Sequence, residues 1–242
     1  MKKLFSIVLM MFCALTISAQ TDVTTFLGIP VDGFKADMRK KLIAKGFTPK
    51  TFEGKEYFEG EFNGHDVYVH IVTNNNKVYR IMLTDKNNKN ETDIKIRFNK
   101  LVRQFENNER YKKPFDSVVE AIENLGSDEE GGYIIPEEED ISYEMSVNNK
   151  RYQATFCQVL DKSIKDSIPI SEEEVIKYLK ALEIENPTEE AKKKAEDLMR
   201  WSISYDMEEK KSVWFMICKD GGEYYIAMYY DNKYNEANGE DL

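Results

Sequence analysis

Gly28, Gly33 and Lys35, within FLGIPVDGFK, are the first residues whose spacing suggests chemistry. Two glycines with a lysine close behind could cradle a phosphate. A phosphate loop needs glycine and lysine adjacent, then a serine or threonine on the helix to hold magnesium. Here Phe34 separates Gly33 from Lys35, Ala36 and Asp37 follow, and Asp32 would put a carboxylate at the phosphate site. The stretch reads instead as a turn shaped by Pro30 and Gly33, with Asp32 placed to cap a helix. The two histidines, His65 and His70, lie five apart on one strand and point to opposite faces. They share no metal and form no histidine-based triad. His65 reads as a rim residue, and His70 as a surface residue able to stack on Tyr57. Carboxylates number 44, so abundant that no acid–base pair stands out. Glu137-Glu138-Glu139-Asp140 reads as a solvated run or a weak calcium site, without the alternating spacing and glycine of a calcium loop. No catalytic residue, metal or cofactor is assigned, and the sequence leans away from an enzyme.

The elements that must position these groups follow from periodicity and turn chemistry. Lys35 to Lys45 predicts a helix, with Met38 and Leu42 on one face and Gly46 as its stop. EYFEGEF-NG-HDVYVHIVT predicts a hairpin, because Asn63-Gly64 suits a type I′ turn. That turn pairs Phe62 with His65, Gly60 with Val67 and Phe58 with Val69, apolar opposite apolar. A three-residue loop at 74–76 pairs Ile71 with Tyr79, Val69 with Ile81 and Val67 with Leu83. The opposite face then carries two rows, Tyr57–His70–Arg80 and Glu59–Tyr68–Met82. Ile94, Phe98, Leu101, Val102 and Phe105 recur at helical spacing, and that helix joins the first in covering the apolar face.

The second half begins with a short helix near Ser117–Leu125, capped by Ser117 and Glu120, and an acidic loop. ISYEMSV-NN-KRYQATF predicts a hairpin pairing Met145 with Tyr152, Tyr143 with Ala154 and Ile141 with Phe156. SEEEVIKYLKAL carries a capping box, Ser171 with Glu174, and the stripe Val175, Ile176, Leu179, Leu182. A second helix restarts with Asn186 as cap and Pro187 in its first position. The last strands place Val213, Phe215 and Ile217 on one side, Trp214 and Met216 on the other. Both sides read as buried, with the helical hairpin as second cover. The fold class is α+β: antiparallel sheet with helices packed on one face, in two related halves. These span residues 20–112 and 113–242, with the helical hairpin inserted at about 170–204.

Residues 1–19 read as a signal peptide: Lys2 and Lys3, an apolar run from Leu4 to Leu15, and Ala19 before the cleavage point. The run is too short to span a bilayer. Cys13 follows Met-Met-Phe rather than a small residue, so no lipid anchor is expected. No membrane span is expected in the mature chain, and the localisation reads as periplasmic or secreted. Cleavage removes two lysines and no acid, moving the formal charge from −10 to −12. Such a chain is repelled by nucleic acid, which is excluded as a partner. Cys157 and Cys218 remain, and a disulfide and two packed thiols both fit. Roughly 220 residues can bury a core without staples.

The ending Ser18-Ala19-Gln20, then FLGIPVDG, KKLIAKGF, GEFNGHDVYV and the closing IAMYYDNKYNEANGEDL, together resemble a family of secreted Bacteroidota proteins of unknown function. The resemblance covers most of the mature chain; the stretch 165–204 departs from it. The family brings no activity or catalytic residues. The helix-plus-sheet halves are also similar in topology to beta-lactamase-inhibitor-protein-like and PepSY-like periplasmic modules, a likeness of architecture alone.

Tyr57, Tyr68, His70 and Arg80 should gather on the sheet face that the helices leave open. Tyrosine and arginine are enriched where proteins bind proteins. The expected function is a non-catalytic module that binds a protein or peptide, such as another envelope protein. The alternative is a glycan-binding or glycan-active envelope protein using aromatics and carboxylates. The oligomeric state stays open, as does burial of the same face by the second half.

Overall fold

Turn residues set the strand registers. The structure, a computed structural model, describes residues 23–114, 152–181, 184 and 186–237. The signal-peptide stretch, the helix expected at 117–125, the acidic run 137–140 and the first strand of the 141–156 hairpin lie outside the described residues.

Strands β1 (Thr25–Phe26) and β2 (Ile29–Pro30) form a small hairpin. Eight further strands form one antiparallel sheet. They are β3 (Thr48–Phe52), β4 (Lys55–Phe62), β5 (His65–Asn74), β6 (Lys77–Asp85), β7 (Tyr111–Lys112), β8 (Gln153–Gln158), β9 (Ser212–Asp220) and β10 (Glu223–Asp231), in the spatial order β3-β4-β5-β6-β10-β9-β8-β7. The helices are α1 (Lys35–Ala44), α2 (Glu91–Glu106), α3 (Lys162–Asp166), α4 (Glu172–Ala181) and α5 (Glu189–Glu209). Among the described residues no helix is long and apolar enough to cross a membrane.

The β4–β5 hairpin has the expected register, Phe62 opposite His65 and Phe58 opposite Val69. Asn63 and Gly64 both take positive φ, +53° and +76°, as a type I′ turn requires. The β5–β6 register differs from expectation. Its loop is the two residues Asn75 and Asn76, at φ +46° and +65°, rather than three. A two-residue turn continued without a break would set Ile71 against Arg80. A bulge prevents this by inserting Tyr79, so that Val72 faces Arg80, Ile71 faces Ile81 and Val69 faces Leu83. Apolar again meets apolar, two residues away from the predicted pairing.

Strands from both halves of the sequence meet where β6 pairs with β10, Ile81 opposite Tyr230 and Leu83 opposite Met228. The core lies between one sheet face and the helices α1 and α2. Met38 and Leu42 of α1 are fully buried, and Gly46, at φ +96°, ends that helix as predicted. The cap differs: Phe34 occupies the N-cap, while Asp32 accepts a hydrogen bond from Asn235 Nδ2 at 2.6 Å. Ile94, Phe98, Leu101, Val102 and Phe105 of α2 all pack inward as their spacing predicts. The Phe98 ring lies 5.2 Å from that of Phe215, and the Phe105 ring 5.0 Å from that of Phe156. Each such buried side chain contributes about 1.5–3 kcal/mol.

The helical hairpin α4–α5 sits between β8 and β9 in the chain, as expected. Ser171 and Glu174 make the predicted capping box: Glu174 Oε2 accepts from the Ser171 N–H at 2.9 Å, and Ser171 Oγ accepts from the Glu174 N–H at 3.2 Å. The second helix is capped by Thr188, whose hydroxyl accepts from the Ala191 N–H at 3.1 Å, and not by Asn186. Val213, Phe215 and Ile217 are buried, but Trp214 and Met216 are only half-buried. The hairpin therefore does not seal their face as a complete second cover.

Candidate functional site

The side chains of the second sheet face follow from the registers. One row runs His70–Met82–Tyr229–Trp214–Thr155 across β5, β6, β10, β9 and β8, with Tyr57 of β4 beside His70. A second runs Glu59–Tyr68–Thr84–Ala227–Met216–Gln153. Arg80 stands in a third, between Val72 and Asp231. The two expected rows thus keep their first two members and exchange the third. Met82 replaces Arg80 beside His70, and Thr84 replaces Met82 beside Tyr68. The two-residue loop and the β5–β6 bulge each shift the register by one residue, and together they cause both exchanges. All four residues singled out by sequence still share this face, and all are half-buried.

The rings are held by one another. Tyr57 and Tyr68 meet edge to face at 5.4 Å, and Tyr57 and His70 lie 6.1 Å apart, tilted by 30°. Burial lowers the His70 pKa, so its imidazole is neutral at pH 7. Lys86 Nζ lies 5.6 Å from the Tyr68 ring centroid and 3.2 Å from the Glu59 carboxylate. Two strands away, Trp214 and Tyr229 stack at 3.9 Å with 16° between planes.

Arg80 is pinned. Its Nε and Nη2 donate to the two carboxylate oxygens of Asp231 at 2.5 and 2.8 Å. The guanidinium lies 5.1 Å from the Tyr229 ring and 5.7 Å from Trp214. Trp214 Nε1 donates to the same carboxylate at 2.8 Å. The hydrogen bonds from Arg80 to Asp231 raise the Arg80 pKa further. The Asp231 carbonyl also accepts the hydroxyl of Thr24, fixing the first described residues to the end of β10. Arg80 is therefore an organiser of the aromatic surface rather than an open anion receptor.

His65 lies on the opposite side of β5, at the rim. Burial lowers its pKa first, and the nearby Arg97 adds to that. Cys157 pairs with Ser212, whereas Cys218 lies six residues further along β9. At ~3.3 Å per residue they stand roughly 20 Å apart, far beyond disulfide reach. Neither forms a disulfide, and burial pushes the Cys157 thiol up to about 11. Among the described residues no three His, Cys, Asp or Glu side chains gather as metal ligands would.

Sequence reasoning missed three groups. The ion pair Arg97–Asp85, at 2.5 and 2.8 Å, is buried under α2 beside a cavity of about 10 Å³, room for about one water. Glu208 is 2% exposed and carries two lysine partners. Asp231 was invisible because its role depends on the β6–β10 pairing. A strand ending in a lone acid, as in MLTD and MYYD, is the available signal, and it says nothing of the partner.

The fold is α+β, and among the described residues one sheet face carries half-buried aromatic side chains. Comparison with protein-family models, with curated proteins and with solved structures found no match.

Proposed function

We propose that this chain is an exported, non-catalytic module that captures a protein or peptide on the open sheet face. The observation that carries this reading is that one sheet face holds two aromatic groups, Tyr57–Tyr68–His70 and the stacked Trp214–Tyr229 pair, with Met82 of β6 between them. Rigid aromatics bury much area at little entropic cost, which favours them at interfaces. Export rests on the charged and apolar character of residues 1–19, in keeping with the resemblance to secreted Bacteroidota proteins. Selection of a displayed peptide library on the mature protein tests the binding claim. Peptides enriched on the wild type should bind Y57A/Y68A at least about tenfold more weakly, the loss of one aromatic hot spot. Equal binding by both proteins refutes the site.

One observation favours a second reading. Trp214 and Tyr229, expected to be buried, lie half-buried on the open face, where a glycan could be received. Binding of glycans on an array, lost in W214A, would support that reading over the first.

A further inference from the structure

The main apolar cluster draws on the chain up to Phe105, on Ala154 and Phe156 of β8, and on β9 and β10. No described residue between Phe156 and Val213 belongs to it. The helical hairpin has its own small cluster of Val175, Leu179 and Ala195, flanked by Ile170, Tyr178 and Met199. Since apolar burial is the main cohesive term, two clusters without shared members are two units of cohesion.

Polar groups join α5 to the sheet. Glu208, in the last turn of α5, is 2% exposed. Its carboxylate pairs with Lys112 Nζ of β7 and, at 3.0 Å, with Lys165 Nζ of α3. It also accepts the backbone N–H of Leu160, just past β8, at 2.9 Å. Arg200 adds one hydrogen bond to the Asp166 carbonyl at 3.0 Å. Burial alone would raise the Glu208 pKa, but Lys112, the Leu160 N–H and Lys165 outweigh it, and the group is held below the usual range. The carboxylate stays charged and serves three elements at once.

We infer that α4 and α5 form a separable unit, latched to the sheet by Glu208 and its two lysines, which opens while the sheet stays folded. Glu208→Gln keeps the shape and one acceptor oxygen but removes the buried charge that pairs two lysines, whose side chains, 21% and 33% exposed, recover only part of the loss by turning to water. Removing the two lysine charges as well should return part of the loss.

Native-state hydrogen exchange on the full chain tests this. In the wild type, amides at 175–207 should exchange through an opening with weaker urea dependence than those of β5 and β6. In E208Q the hairpin amides should exchange at least about tenfold faster, with β5 and β6 unchanged. The triple variant E208Q/K112Q/K165Q should recover part of the protection. The inference is overturned if hairpin and sheet share one opening in the wild type, or if E208Q accelerates both alike. It is equally overturned if E208Q fails to fold, because the sheet must stand without the latch.

Discussion

Replacing Asp231 by alanine removes the group that organises the open face. Asp231 is 5% exposed and accepts two hydrogen bonds from Arg80 and one from Trp214 Nε1. Hydrogen bonds to a charged group contribute about 1.5–3 kcal/mol each, and stranding one partner of a buried ion pair costs about 3–5 kcal/mol. The Arg80 side chain is 23% exposed, so the freed guanidinium can turn toward water and recover part of this. The expected loss is about 2–4 kcal/mol, which for a chain of this size lowers Tm by roughly 5–15 °C. Urea unfolding should show a lower midpoint with an unchanged slope. The near-ultraviolet circular dichroism of Trp214 should weaken as its stack on Tyr229 loosens. In a cycle with R80M, the two sites should couple by about 1–3 kcal/mol. A loss below about 0.5 kcal/mol, the range of ordinary surface changes, or strict additivity with R80M, would refute the pinned-arginine reasoning.

Three further outcomes are expected. The His70 pKa is depressed in the fold, so its contribution to stability is complete above the unfolded value of 6.5 and is lost as pH falls through the folded value. Stability measured from pH 8 downward should therefore fall below about 6.5 in the wild type and fall less in H70F, and identical profiles would contradict this. Gly60→Ala would drive a Cβ into the buried Phe47 ring, 2.8 Å from Cε1, and should cost about 1–3 kcal/mol in urea unfolding, partly relieved by F47L. Thiol labelling at pH 8 should modify the half-buried Cys218 well before Cys157, whose burial pushes it up to about 11, and a C218S variant should react only slowly.

What was legible in the sequence were features decided locally. Asn63-Gly64 fixes its own turn, so the β4–β5 register followed from two residues and an alternation of apolar side chains. The stripe of α2 and the Ser171–Glu174 box are likewise encoded within a few residues. The β5–β6 register was not legible, because three consecutive asparagines allow two loop lengths and the bulge at Tyr79 is a tertiary compromise. Alternation along the last strands separated Trp214 and Met216 from Phe215. It did not reveal that Trp214 and Met216 are only half-buried, which depends on where the helical hairpin docks. The four residues read as a site do share one face, yet Arg80 changed role because Asp231 reaches it across 151 positions of sequence.

A partner seated on the aromatic sheet face would shield its side chains from solvent. Hydroxyl-radical footprinting of the mature protein, alone and bound to a library-selected peptide, measures this directly. Tyr57, Tyr68, Met82 and Trp214 should be protected, while the exposed Phe52 and Tyr234 keep their reactivity. Protection confined to the outer face of α2 or to the α4–α5 hairpin, with Tyr57, Tyr68, Met82 and Trp214 unchanged, would contradict binding on that face.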